Sequence, residues 1–216
     1  LQAGVASTLS IAGAGGADLS VAAGSTLQLT GANAVMVAIG AGATGDVSGT
    51  LFLGGAAHRV TAVDANSLVF NAGALCTAGA SFGGSAFGTT ALGTVEFKAG
   101  SLYQHIAGAN PFGASAPNSV VTFDAGSRYR LDGAVTPSMS GRTYADFEYN
   151  TNSALSPSGG NLLTLDSLIV TQGTLNLNMT GGVSIRGDVH VKAAATLNFS
   201  PGSGAPVFSF AGPAAQ

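Results

Sequence analysis

Leu, Val, Ile and Phe alternate with Ser, Thr and Asn in short runs along the chain. Examples are Thr26-Leu27-Gln28-Leu29-Thr30, Thr50-Leu51-Phe52-Leu53, Thr174-Leu175-Asn176-Leu177-Asn178 and Thr196-Leu197-Asn198-Phe199. A period of two puts alternate side chains on opposite faces of an extended strand. Clusters of Gly, Asn, Asp and Ser separate the runs as turns. No segment shows a helical period, so the chain reads as all-β.

The turns recur at a nearly fixed distance. Phe-x-Ala-Gly occurs at Phe70–Gly73, Phe97–Gly100 and Phe123–Gly126, so the step from one glycine to the next is almost constant. Val21-Ala22-Ala23-Gly24 is an earlier variant, and Gly49 lies between Gly24 and Gly73. Later, Gly173 follows Leu168-Ile169-Val170, and Ala194 takes the glycine's place after Val189-His190-Val191. Repeats of this length are single supersecondary units stacked on their neighbours, so the fold is a parallel β-solenoid, a β-helix. Val5 to Ile11 reads as a further coil, and Tyr144 to Tyr149 supplies the strand of an unmarked one. The total is about nine coils of roughly 20–27 residues, in one continuous solenoid over residues 1–216.

Stacking turns the alignment into expectations. Phe70, Phe97 and Phe123 form an inward aromatic ladder. Leu68, Val95 and Val121 also point inward, while Val69, Glu96 and Thr122 point out. Gly24, Gly49, Gly73, Gly100, Gly126 and Gly173 mark a corner that needs positive φ or close packing. Lys98 and Asp124 sit on adjacent rungs as a surface ion pair. The stretches 78–93 and 108–119, rich in Gly, Ala, Ser and Pro, read as excursions from one corner that pad the surface; insertions on one face of a solenoid are often its binding face, but small residues make a poor grip.

Composition narrows the function. Charged residues are 8% of the 216, the net charge is −3, and only seven residues are basic. No basic stripe is available for a phosphate backbone, which argues against nucleic-acid binding. No run of 18 apolar residues forms a membrane-spanning helix. Leu1-Gln2-Ala3-Gly4 lacks the charged start of a signal peptide. Cys76 has no intrachain partner and reads as a small buried hydrophobe. Few Lys and Glu, many Ser, Thr, Asn and Gly, and no Trp suit an exported bacterial repeat protein.

Candidate chemistry is sparse. The densest polar cluster holds Tyr103, Gln104 and His105, then Arg128, Tyr129, Arg130 and Asp132. The step from Gly100 to Gly126 sets Tyr103 beside Tyr129 and Gln104 beside Arg130. Tyr103, His105, Arg128, Tyr129 and Arg130 are therefore the candidate glycan contacts, with Glu96 and Lys98 nearby. The acids Glu96, Asp124 and Asp132 fall at different phases of the repeat, so no acid–base pair is assembled and no enzyme activity is expected. His58, His105 and His190 occupy unrelated phases, which argues against a metal site, and no cofactor motif occurs. Arg186-Gly187-Asp188 spells an integrin-read tripeptide between strands. Asn178-Met179-Thr180 and Asn198-Phe199-Ser200 fit the glycosylation pattern but lie in strand-like runs. Thr8, Thr26, Thr50, Thr174 and Thr196 recur once per coil, as on an ice-binding face, but without paired Thr-x-Thr rungs.

The phrases Gly100-Ser101-Leu102-Tyr103-Gln104-His105, Val121-Thr122-Phe123-Asp124-Ala125-Gly126-Ser127-Arg128-Tyr129, Gly141-Arg142-Thr143-Tyr144-Ala145-Asp146-Phe147-Glu148 and Val170-Thr171-Gln172-Gly173-Thr174-Leu175-Asn176-Leu177 resemble the large repetitive, adhesin-like cell-surface proteins of Bacteroidetes. The resemblance covers roughly residues 90 to 216 and is one of repeat style. It implies a right-handed parallel β-helix, export to the cell surface, often by type IX secretion, and a role in adhesion or extracellular scaffolding. Members usually end in a separate sorting domain, whereas this chain stops at Gly212-Pro213-Ala214-Ala215-Gln216, so it is expected to be either a segment of a longer protein or a chain from which the sorting domain has been removed. The family supplies no catalytic residues. The expected function is structural: an adhesin stalk or surface-fibre segment that stacks end to end or meets other surface proteins. A glycan-binding module is the alternative, and an ice-binding β-helix comes after it.

Overall fold

A computed structural model describes residues 1–13, 16–200 and 207–210, and all the regular structure in them is β-strand. The fold is a parallel β-solenoid of about eight turns. The contacts divide it into two units, Leu1–Ser127 and Arg128–Gln216. Gly212-Pro213-Ala214-Ala215-Gln216 lies outside the described residues.

In the first unit each full turn has three short sides. The first turn is β1 (Ser7–Ile11), β2 (Leu19–Val21) and β3 (Thr26–Leu29). The second is β4 (Val35–Ile39), β5 (Gly45–Val47) and β6 (Thr50–Leu53). The third is β7 (Arg59–Ala62), β8 (Leu68–Phe70) and β9 (Leu75–Ala78). Then follow β10 (Val95–Phe97), β11 (Leu102–His105) and β12 (Val121–Phe123). Each strand pairs in parallel with its counterpart one turn on. Met36 with Arg59 spans one of the shortest of these turns, and Ser7 with Val35 the longest. The count is about eight turns and not nine because Val5 to Ile11 is no separate coil. β1 is one side of the turn that β2 and β3 complete.

The apolar positions of the period-two runs face the axis. Phe70 pairs with Phe97 and Phe97 with Phe123 on consecutive rungs. Their rings stack at 4.3 Å and 2°, then at 5.1 Å and 25°. Stacked registry follows from identical side chains at one point of the repeat, held about 4.8 Å apart by the strand spacing. Gly73, Gly100 and Gly126 follow these strands at φ 82°, 81° and 81°, where any side chain is strained. Gly49 serves differently: a Cβ there would lie 2.3 Å from the carbonyl oxygens of Ala22 and Ser25.

From the fourth turn on, irregular backbone replaces the strand beside β7. The stretches 78–93 and 108–119 were expected to pad the surface. Instead they place Phe82, Phe87 and Phe112 in the core, each at most 3% exposed. Phe87 meets Phe70 and Phe97 edge-on at 5.8 and 6.0 Å. The two loops also stack on each other: Ala109 N–H donates to the Gly84 carbonyl at 2.9 Å and Gly93 N–H to the Ser119 carbonyl at 2.9 Å. Small residues let the backbone turn tightly enough to drop a large ring inward.

The second unit runs on β13 (Arg128–Leu131), β14 (Thr143–Leu155), β15 (Ser158–Gly159), β16 (Leu163–Met179), β17 (Val183–Ile185), β18 (Val189–Val191), β19 (Ala195–Phe199) and β20 (Phe208–Phe210). Its turns are shorter: Arg128 pairs with Asp146, and Thr143 with Thr164. β14 and β16, of 13 and 17 residues, are long strands that bend. The pairing of β14 shifts between Tyr149 and Ala154, and Gly173 of β16 lies against that irregularity. A Cβ at Gly173 would sit 2.1 Å from the Thr151 carbonyl oxygen. Gly173 thus lies inside a continuous strand, not between two strands as Gly100 does. The ladder pairs it with Ala195, while Ala194 takes φ 68°.

Candidate functional site

Of the five residues expected to meet a glycan, two lie in the first unit, on β11. Tyr103 is 0% exposed and His105 is 1% exposed. The pairing places Tyr103 and His105 on the inward side of the strand, with Leu102 and Gln104 facing out. Tyr103 packs edge-on against Phe97 at 5.8 Å and lies 5.9 Å from the His105 ring. His105 Nε2 meets the Gly108 carbonyl at 3.2 Å, an acceptor, so this nitrogen carries the hydrogen. Burial pulls the imidazole below its ordinary pKa, which favours its neutral form. Neither ring is open to a sugar.

The outer face beside this ladder carries Glu96. Lys98 Nζ reaches Glu96 Oε2 at 4.0 Å, two positions back along the chain, which corrects the expected pairing of Lys98 with Asp124. Asp124 instead acts on Glu96. Burial first, and then the neighbouring Asp124 carboxylate, push the Glu96 carboxyl above its ordinary range, with Lys98 opposing.

The other three candidates lie in the second unit, on β13. Tyr129 is 1% exposed and stacks on Phe147 at 5.3 Å and 13°. Its ring is core, so the expected aromatic strip is absent from the surface: period two turned Arg128 and Arg130 out and the tyrosine in. Arg128 reaches Glu148 Oε2 at 3.3 Å and Asp146 Oδ2 at 3.9 Å. Ser167 Oγ donates to Asp146, and Thr171 Oγ1 donates to Glu148 Oε1 at 3.1 Å. Arg130 Nε donates to Asp132 Oδ2 at 3.0 Å, and Asn150 Nδ2 donates to Asp132 Oδ1 at 2.6 Å. These bonds link β13 to β14 and β14 to β16, so the outward charges are spent on holding rungs in register. Asn198, Asn176 and Ser156 continue the pattern, with side-chain bonds of 2.8 and 3.0 Å.

The remaining candidates are scattered. His58 is buried, and its Nδ1 accepts the Val35 N–H at 3.0 Å. His190 is exposed and lies 3.8 Å from Asp188. Among the described residues no group of three His, Cys, Asp or Glu could hold a metal ion. Cys76 is fully buried on β9, which pushes its thiol pKa far up. Arg186-Gly187-Asp188 forms the turn between β17 and β18, where Arg186 pairs with Asp166 at 3.6 Å. Asn178 and Asn198 lie within β16 and β19. Thr26 is paired with Thr50, and Thr174 with Thr196, but Thr50 is followed by Leu75, and Thr8 faces Met36 on another sheet. The threonines therefore form two short pairs and not one array.

A concavity beside the 78–93 excursion lies in the first unit, around Arg59, which the sequence did not mark as a site residue. A cavity of about 440 Å³ runs between the outer face of β7 and residues 85–91, with Arg59, Thr61, Ser85, Thr89 and Thr90 on its walls. A second, of about 280 Å³, lies over β1 and β4 and shares Met36, Ala57 and Arg59 with the first. The signal in the sequence is slight: Arg59 is the only charged residue between Ser48 and Val63. Comparison of the chain with protein-family models, with curated proteins and with solved structures returns no match.

Proposed function

We propose that this chain is a structural segment of a bacterial cell-surface protein, a stalk or fibre segment of stacked β-coils outside the cell. The observation that carries the reading is where the chain spends its side chains. The inward aromatic positions stack rung on rung, as in Phe70, Phe97 and Phe123. The outward charges bind the neighbouring rung, as in Arg128 with Glu148 and Asp146. Both patterns stabilise the stack itself, which suits a part whose work is to hold length and shape. Additivity along a stack makes such a part extendable turn by turn. Contact with a second copy or another surface protein belongs to the same proposal. The repeat style shared with adhesin-like proteins of Bacteroidetes supports export and surface display.

Immunogold electron microscopy of intact source cells, with antibodies raised against this chain, tests the reading. Label on material projecting from the outer surface is the expected result. Label confined to the cell interior overturns it.

A further inference from the structure

The outer face of the β1–β4–β7 sheet differs from every other face of the first unit. Its rungs put Thr8, Met36 and Arg59 on one row and Ser10, Ala38 and Thr61 on the next. Beyond β7 no strand follows in this sheet. The loop takes over: Val60 N–H donates to the Ala86 carbonyl at 2.9 Å, and residues 85–91 form a wall beside the strand. The result is the pair of cavities that meet at Met36, Ala57 and Arg59. The volume of the larger one, about 440 Å³, lies in the range of small-molecule sites.

Arg59 sits at that junction and, among the described residues, is the only charged one lining either cavity. Its one polar contact among the described residues is from Nε to Met36 Sδ at 3.1 Å, and sulfur is a weak acceptor. The acid nearest in sequence, Asp64, is committed to the Gly42 N–H at 2.7 Å. Arg59 therefore contrasts with Arg128, Arg130 and Arg186, each of which has a carboxylate partner. A guanidinium without a carboxylate, in a concave site, suits an anion that its fork can hold by two bonds, a carboxylate or a phosphate. The walls add the hydroxyls of Thr61, Ser85, Thr89 and Thr90, donors and acceptors that suit a polyol. Met36, Ala57 and Val63 supply apolar surface for the C–H faces of a sugar ring. A single cation does not balance a phosphate dianion, and nucleic acid needs several.

We propose that this groove binds a carboxylate-bearing saccharide, a chain of uronic acid units, with one carboxylate on Arg59 and neighbouring units lying along the sheet. The site is independent of the buried tyrosines, and it adds a ligand to a segment whose structural reading does not need one.

Calorimetric titration of the full chain with trigalacturonate, with the neutral trigalactose and with inorganic phosphate tests the proposal. Trigalacturonate is expected to bind, more weakly as salt rises, and at least about tenfold more tightly than the neutral trimer, the factor that one charge-assisted contact provides. Arg59→Ala should lower the affinity at least tenfold with an unchanged Tm, since the side chain is exposed. Thr90→Val should weaken binding by a smaller factor, and Arg128→Ala should leave it unchanged. Four results each overturn the proposal: no binding by the parent chain at millimolar ligand, equal binding of the neutral trimer, unchanged binding by Arg59→Ala, or phosphate binding as tightly as the uronate, which would mark an adventitious ion only. Any of these leaves the structural reading standing, because that reading is tested at the cell surface.

Discussion

The two units solve one problem, stacking coils without disulfides, in opposite ways. The first uses long turns, such as Ser7 to Val35, with short strands, glycine corners and an aromatic ladder inside. The second uses shorter turns, such as Arg128 to Asp146 and Leu163 to Val183, with long bent strands and a polar ladder outside. Longer turns leave loop to spare, and the first unit folds that loop into Phe82, Phe87, Phe112 and the Arg59 groove. Shorter turns leave less, and the second unit bends its strands and crowds Gly173 against Thr151. The length of a turn therefore decides where variation is stored: in loops when turns are long, in strand irregularities when they are short.

The aromatic ladder should separate the units most strongly. Phe97 is fully buried between two stacked rings. Phe97→Ala should cost about 3–5 kcal/mol, read as a fall in denaturation midpoint. Hydrogen exchange should show the extra opening concentrated in residues 1–127, since each coil leans only on its neighbours. Equal opening in both units would show that they act as one cooperative body.

The corners give a smaller, paired effect. Gly100 at φ 81° and Ala194 at φ 68° occupy the same left-handed region with different residues. Gly100→Ala should destabilise by about 1–2 kcal/mol, and Ala194→Gly should stabilise by up to about 1 kcal/mol, offset by unfolded-state entropy. Chemical denaturation of the two variants checks the signs. Two losses of equal size would mean that the second unit's corner tolerates its alanine.

The smallest effect is electrostatic and belongs to the first unit. The folded-state pKa of Glu96 is raised, so the native chain holds this proton more tightly than the unfolded chain does. Stability from this group is complete below the unfolded carboxyl pKa and is lost as pH rises through the folded value. Glu96→Gln removes that loss, so the variant should match the parent near pH 4 and exceed it slightly at pH 7 in thermal melts. A variant less stable than the parent at pH 7 would show that the Lys98 contact outweighs the Asp124 repulsion.

Much of the fold was legible in the chain. Repeated Phe-x-Ala-Gly at near-constant spacing encodes the ladder, because identical residues at one phase of a solenoid must meet on adjacent rungs. Alternation encodes which side faces in, and the same rule, applied to β11 and β13, puts Tyr103 and Tyr129 inside. The reading of those rings as a surface strip gave weight to residue type over phase. The loops hid their aromatics because Gly and Ala signal turns wherever the chain goes next.

Strands, their period and the inward ladder were thus written in the order of the residues, since they depend on local alternation and on repetition. The partner that each charge took was not: Lys98 turns to Glu96, and Arg59 meets no carboxylate among the described residues, only once the coils are stacked. The groove walled by the loop beyond β7 likewise exists only in the folded chain. Those outcomes depend on how far the backbone travels between one rung and the next, a three-dimensional distance that alternation along a line does not record.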